Sequence, residues 1–227
     1  MNNYVDPHGC FSEAAPKGCV TATKLKKNYK PDFDFKKIKI NDVGRYSITR
    51  PYEAKQISTI IRTQIENILK KDSKDCTITD GTSGVGGDTI HFSKYFKNVN
   101  AVDILKENID LLSINCSVFN ITNVNIIHND YTKIFNILKQ DVLYLDPPWG
   151  GIGYKDKINI ELEMSEINIS KLINLINKGN KCKPLIFLKL PLNVNLKNLN
   201  IYKKYKILNK KNIHSFFLVQ IDYFNTT

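Results

Sequence analysis

From residue 76 to residue 190 the sequence alternates short uncharged runs with longer segments of helical period, and this alternation restricts the fold more than any other feature. Residues 76–79 read as a strand, followed by a glycine-rich loop and a helix over 89–96. Residues 99–102 read as a second strand and 104–119 as a second helix. A third strand follows at 124–127, and a short helix precedes a fourth strand that begins at Val142. Residues 169–176 are helical in pattern, and 184–190 form a fifth strand. Alternation on this scale builds βαβ units and hence a parallel sheet. The predicted class is α/β, with a mostly parallel central sheet, helices on both faces and a C-terminal antiparallel hairpin from 201–208 and 216–223. Such sheets bind ligands outside the carboxyl ends of their strands, so the residues that follow each strand are the ones to examine.

Ahead of the first strand, Ala54, Ile57, Ile61, Ile65 and Ile68 recur at spacings of three or four, which predicts an amphipathic helix reaching about Lys71. Thr49 is the expected N-cap, with Pro51 in the first turn and Glu53 favourable to the helix dipole. Residues 1–40 have no clean period and contain Pro7, Gly9, Pro16, Gly18 and Pro31. They read as a basic N-terminal appendage that docks through Tyr29, Phe33 and Phe35, leaving 41–227 as the main domain.

The formal charge is +11, and its distribution says more than its size. Residues 167–221 contain eleven lysines and neither Asp nor Glu, while the remainder is balanced. This asymmetry fits a face for a polyanion such as RNA, or a solvated surface in a lysine-biased chain. The sequence has no apolar run long enough to span a bilayer, and residues 1–20 lack a signal peptide's apolar core, so an intracellular protein, nuclear or cytoplasmic, is expected. The five cysteines, Cys10, Cys19, Cys76, Cys116 and Cys182, show no paired spacing and are expected to be reduced. His8, Cys10 and Cys19 match no standard zinc pattern, and no metal is expected.

The loop after the first strand reads Asp80-Gly81-Thr82-Ser83-Gly84-Val85-Gly86-Gly87 and leads into the helix that starts near Thr89. Glycines there permit close approaches that a Cβ would block. The loop alone suits a dinucleotide or S-adenosylmethionine. Asp103, about twenty residues on at the end of the second strand, is placed to accept hydrogen bonds from both hydroxyls of an adenine nucleoside's ribose. An acid leading the loop, Asp80, favours S-adenosylmethionine over a nicotinamide cofactor, since a carboxylate suits its cationic methionine portion.

The fourth strand runs into Asp146-Pro147-Pro148-Trp149-Gly150-Gly151. Two prolines cannot extend a ladder, so the chain leaves the sheet there as a stiff loop. Asp146 and the Pro147 carbonyl could hold an exocyclic base amine between two acceptors, with Trp149 offering a stacking face. The plainer alternative is a strand-end turn rich in proline and glycine.

Acid-Pro-Pro-aromatic resembles the catalytic motif of methyltransferases that act on exocyclic amino groups of nucleobases. With Trp149, Gly150 and Gly151 it is similar to the trimethylguanosine synthases, the cap-specific guanosine-N2 methyltransferases. Asp80 to Ile90 and Arg45-Tyr46-Ser47-Ile48-Thr49 resemble further phrases of that family. Thr82 and Ser83 stand where the family carries an aromatic-Cys pair, and Ile152 stands where it commonly has proline. The cofactor loop precedes the Pro-Pro motif, unlike the order in messenger-RNA-type adenine-N6 enzymes.

The resemblance implies a Rossmann-like class I methyltransferase fold that uses S-adenosylmethionine. It places Asp80, Gly81, Thr82, Gly84, Gly86, Gly87, Thr89, Asp103 and Asp130 at the cofactor, Asp130 beside the adenine amino group. Asp146, Pro147 and Trp149 would be catalytic. Trp149, Tyr46, Tyr154, Lys171, Lys178 and Lys181 would contact the substrate, a 7-methylguanosine RNA cap that receives one or two methyls at N2. Tyr46 could equally be a packing aromatic, and each lysine a solvated one. A monomer is expected. Two other functions stay open: methylation of a base within structural RNA or DNA, and a cap-binding accessory protein without turnover.

Overall fold

The computed structural model describes residues 33–179, 183–196, 205–208 and 216–221. A short helix α1 (Gly44–Ser47) leads into α2 (Pro51–Leu69), which opens with proline in its first turn. Ala54, Ile57, Ser58, Ile61 and Ile65 of α2 are buried, the stripe its spacing requires. The N-cap is Arg50, without a side-chain cap bond, and not Thr49. The Thr49 hydroxyl is already committed elsewhere, donating to Asp88 Oδ2 at 2.5 Å.

The α/β core follows in order: β1 (Thr77–Asp80), α3 (Thr89–Tyr95), β2 (Asn98–Asp103), α4 (Lys106–Val118), β3 (Val124–His128), α5 (Tyr131–Ile134) and β4 (Val142–Leu145). After β4 the chain makes a 3-10 turn (Ile152–Asp156) and a two-strand ribbon, β5 (Glu163–Met164) and β6 (Ile167–Asn168). It then enters α6 (Ile169–Gly179), β7 (Leu185–Pro191), β8 (Tyr205–Ile207) and β9 (Phe216–Ile221). The small ribbon was not expected from the sequence, because two-residue strands leave no readable period. Ser165 and Glu166 turn it with φ of 48° and 64°.

The main sheet has the order β3-β2-β1-β4-β7-β9-β8. Strands β3, β2, β1, β4 and β7 are parallel neighbours, and β9 runs antiparallel to both β7 and β8. The expected closing hairpin is therefore present over its described part, with β9 inserted between β7 and β8. Side chains alternate across the sheet with the period of two that pleating imposes. Val142 and Tyr144 of β4 join Ile57, Ile61, Phe92 and Phe187 on the α2 and α3 face. Leu143 and Leu145 join Leu172, Ile176, Ile186 and Leu188 on the α6 face. Because both faces are covered, all of β4, β7 and β9 is buried.

From β1 the chain builds outward through β2 and β3, then crosses back to start β4 on the other side of β1. The carboxyl ends of β1 and β4 thus flank the point where the winding reverses, which opens a crevice in sheets of this type. Residues just before α1 pack onto this frame. Phe35 stacks on His91 with ring centres 5.2 Å apart, and Phe33 meets Phe119 edge-on at 5.3 Å. Tyr29, Lys181, Cys10, Cys19 and Cys182 lie outside the described residues, whereas Cys76 and Cys116 are buried free thiols.

Candidate active site

Backbone bonds fix the loop after β1: Gly81 N–H donates to the Tyr144 carbonyl at 3.0 Å and Ser83 N–H to the Val102 carbonyl at 2.9 Å. At Gly86 the backbone takes φ +107°, and a Cβ would lie 2.7 Å from Leu112 Cδ1. A Cβ at Gly87 would meet Ile48 at 2.8 Å and the Thr49 backbone at 3.0 Å, so the segment before α2 lies directly on the loop. Gly84 forms the open crest, with φ +51° and nothing within 4 Å of where its Cβ would be.

Asp80 and Asp103 hold this loop in different ways, and Asp130 caps the helix that follows β3. Asp80 is 1% exposed and lies beneath it, accepting from Thr82 N–H at 3.3 Å and the Thr89 hydroxyl at 2.7 Å. Burial, reinforced by nearby Asp88, pushes its pKa up to about 8. Asp103 ends β2 and is partly exposed, one oxygen accepting from Gly84 N–H at 2.8 Å. Its other oxygen accepts from Leu105 N–H at 2.8 Å and Asn108 Nδ2 at 3.1 Å. Asp130 begins α5 and caps it, accepting from Thr132 N–H at 2.9 Å and the Thr132 hydroxyl at 2.7 Å. Burial would raise the Asp130 pKa, but these donors, Ser165 and the Lys133 charge outweigh it and the net shift is downward.

The segment after β4 meets this loop at one bond. Asp146 N–H donates to Thr82 Oγ1 at 2.7 Å, joining the strand-end motif to the glycine loop. Pro147 is buried and Pro148 exposed, as expected where a chain leaves a sheet. Trp149 is partly buried and meets Tyr154 edge-on, with ring centres 5.1 Å apart at 75°. Its indole Nε1 is buried and makes no hydrogen bond of ordinary geometry, though the indole lies near enough to Asp146 to lower its pKa slightly. Gly150 and Gly151 turn the chain with φ of +94° and +78°. Tyr154 is held by its carbonyl, which accepts from Asn193 Nδ2 at 2.8 Å.

One functional group at this centre went unnoticed in the sequence. Lys189, on β7 and 5% exposed, donates to Asp146 Oδ2 at 2.6 Å and to Thr49 Oγ1 at 2.8 Å. Burial pushes the Asp146 pKa up to about 6, against the pull of Lys189 and with Asp88 adding repulsion. For Lys189 itself burial favours the neutral form, but Asp146 and Asp88 outweigh it and raise its pKa. A charged residue inside an otherwise apolar buried strand was the available signal, since such a residue needs a buried counter-ion.

Tyr46 stands 55% exposed on α1, whose Gly44 packs against Val85 of the loop. Lys171 and Lys178 are exposed on α6, and the described contacts do not tie either to Trp149 or Asp146. Among the described residues there is no cluster of three His, Cys, Asp or Glu suited to a metal, and no helix is long and apolar enough to cross a membrane.

Residues 76–225 match the family model described as RNA cap guanine-N2 methyltransferase, a span that contains both loops and every strand of the main sheet. The chain belongs to the RNA cap guanine-N2 methyltransferase family. An uncharacterized protein of Acanthamoeba polyphaga mimivirus is 32% identical over 175 residues, covering 69% of this chain and 68% of that protein. The trimethylguanosine synthase of Schizosaccharomyces pombe is 30% identical over 132 residues, 55% of this chain and 54% of the yeast protein. Among solved structures, the T. thermophilus 16S rRNA N2 methyltransferase RsmC, in complex with AdoMet and guanosine, superposes with a TM-score of 0.57. It is 12% identical, and the match covers 77% of this chain and 44% of RsmC. Precorrin-6y C5,15-methyltransferase from Geobacter metallireducens gives a TM-score of 0.55 at 13% identity, over 83% of this chain and 94% of that one.

As a member of this family with a class I methyltransferase fold, the protein uses S-adenosylmethionine. The residues present fit that cofactor. The Gly84 crest is open, Asp103 offers a partly exposed carboxylate beside it, and the buried Ser83 Oγ within the loop has no hydrogen-bond partner.

Proposed function

We propose that the protein methylates the exocyclic N2 of a 7-methylguanosine RNA cap, giving the 2,7-dimethyl form and, with a second transfer, the 2,2,7-trimethyl form. The observation that carries this reading is the junction of Asp146 N–H with Thr82 Oγ1 at 2.7 Å. It sets the amine-gripping motif against the cofactor loop, with the Trp149 and Tyr154 rings beside it. The family match and the S. pombe relative's name support the cap as substrate.

When bound, S-adenosylmethionine supplies an electrophilic methyl on a positively charged sulfur. Asp103 and the loop residues Gly81, Thr82, Gly84, Gly86 and Gly87 would hold it, with Asp80 and Thr89 bracing the loop from below. Asp130 would lie near the adenine. Guanine N2 is a poor nucleophile because its lone pair delocalises into the purine. Asp146 and the Pro147 carbonyl accept its two N–H groups and favour a pyramidal nitrogen, and holding it in line supplies much of the acceleration. The Asp146 carboxylate then accepts the proton that the nitrogen loses, a role suited to a pKa of about 6. Trp149 stacks on a base made cationic by N7 methylation, worth about 1–3 kcal/mol. Tyr154 supports the indole edge, Tyr46 contributes from the rim, and Lys171, Lys178 and Lys181 attract the cap phosphates.

The test is mass spectrometry of reactions with S-adenosylmethionine and either a 7-methylated cap dinucleotide or its unmethylated counterpart. Mass gain only on the methylated cap, located at N2 by fragmentation, supports the proposal and counts the methyls. No gain on either, with cofactor bound, overturns it in favour of a base in longer RNA or DNA.

A further inference from the structure

Lys189 lies between Leu188 and Leu190, both fully buried, in a strand that is buried along its whole length. An ammonium group withdrawn from water costs several kcal/mol unless anions and acceptors meet it. Its Nζ has Asp146 on one side and Thr49 on another, and lies 5.4 Å from the Trp149 ring centre and 5.3 Å from that of Phe216. The Thr49 hydroxyl donates its own hydrogen bond to Asp88, which also accepts from the Tyr144 hydroxyl at 3.0 Å. The lysine therefore sits between a part-buried and a buried carboxylate, bonded directly to Asp146 and through Thr49 to Asp88.

We propose that Lys189 is the positioning residue of the amine site: it pins Oδ2 of Asp146, keeps that carboxylate ionised, and leaves the other oxygen to accept the substrate N–H. This role rests on the amine-methylating reading of Asp146 but does not depend on which base is presented.

The surroundings explain why a cation is required. The leading ionisable groups that act on Asp146 or its partner from neighbouring elements are Asp80 on β1, Asp88 ahead of α3, Glu53 on α2, Tyr144 on β4 and Tyr154 in the turn after it, while Lys155 and Lys157 lie further out, over Tyr154 and by Gly150. The leading groups are all acids, so Lys189, bonded to Asp146 at 2.6 Å, is the balancing charge. Without it Asp146 would bind a proton, and a protonated carboxyl would present a donor to an amine that is itself a donor. The bond to Oδ2 also fixes the rotamer, so that the free oxygen is presented in one direction. Lys189 touches neither reacting atom in this scheme; it acts through Asp146.

The chain has one tryptophan, Trp149, so indole fluorescence reports on this site with nothing bound. Emission of the full-length protein should show a pH transition with a midpoint near about 6, and Asp146→Asn should abolish it. Lys189→Met, similar in length but uncharged, should raise that midpoint by about one pH unit or more, while Lys189→Arg should keep it nearly in place. Lys189→Gln, which retains hydrogen bonding, gives the same comparison if the Met variant does not fold. With substrate, loss of the charge should lower kcat at neutral pH by about tenfold or more with little change in KM, and raising the pH should restore part of it. An unmoved midpoint in a folded, uncharged variant overturns the positioning role whatever the turnover. A raised midpoint in a protein that methylates no cap supports the role and overturns the cap reading alone.

Discussion

Asp80 and Asp146 end adjacent parallel strands, β1 and β4, yet the structure treats them in opposite ways. Asp80 is sealed under the glycine loop with neutral donors only, Thr82 N–H and the Thr89 hydroxyl, and its pKa is raised by burial to about 8. Asp146 retains 18% side-chain exposure, is bonded to a lysine, and rises only to about 6. At neutral pH the first is mainly a protonated strut and the second mainly a carboxylate. The lesson is that position at a strand end does not decide what an acid does; the charge of its nearest partner does.

The strongest way to break this comparison is to neutralise the ionised member. Asp146→Asn should cut methyl transfer by about 10²–10⁴-fold in single-turnover assays, leaving cofactor binding by calorimetry close to wild type. The two halves of the site should then separate. Trp149→Ala should weaken cap binding by about 10- to 100-fold and cofactor binding much less. Asp103→Ala should do the reverse by a similar factor, because it removes the acceptor proposed for the cofactor. Smaller effects test the loop that spans the two acids. Gly86→Ala, with a Cβ 2.7 Å from Leu112 and φ +107°, should cost about 1–3 kcal/mol in chemical denaturation. Gly84→Ala, with φ +51° but open space, should cost only about 1 kcal/mol.

A separate, pH-dependent effect concerns the protonated strut. Because its folded pKa of about 8 lies above its unfolded value, Asp80 favours the folded state fully at low pH, and that contribution is lost progressively as pH rises from about 4 to about 8. Melting temperature should fall across that range, and Asp80→Asn should flatten the fall by about 2–4 °C for each kcal/mol removed. An equally steep fall in the variant would show that Asp80 is already ionised.

The fold was legible wherever a run was long enough to show its period. The strands, α2 and both loops appear within a few residues of their expected bounds, and Asp103 and Asp146 fall at strand ends because the uncharged runs stop there. What stayed hidden depends on partners distant in sequence. Thr49 has the residue type of an N-cap, but a carboxylate 39 positions away claims its hydroxyl. Lys189 looked like one more of the eleven lysines after residue 167, although it interrupts an apolar strand and meets an acid 43 positions before it. Asp130 is local and could have been read further: an acid two residues before Thr132, just ahead of a short helix, is also a cap.

The insertion of β9 between β7 and β8 bears on how the protein matures during synthesis. Lys189 pairs in register with Leu218, and its ammonium group lies against Phe216, while its other hydrogen-bond partner, Thr49, precedes it by 140 positions. A growing chain that has emitted the loops after β1 and β4 still lacks the strand that roofs this lysine. Contacts so distant in sequence form slowly, because loop closure must precede their reward. Competence for chemistry should therefore appear late on the ribosome, after the sheet from β3 to β7 has already assembled.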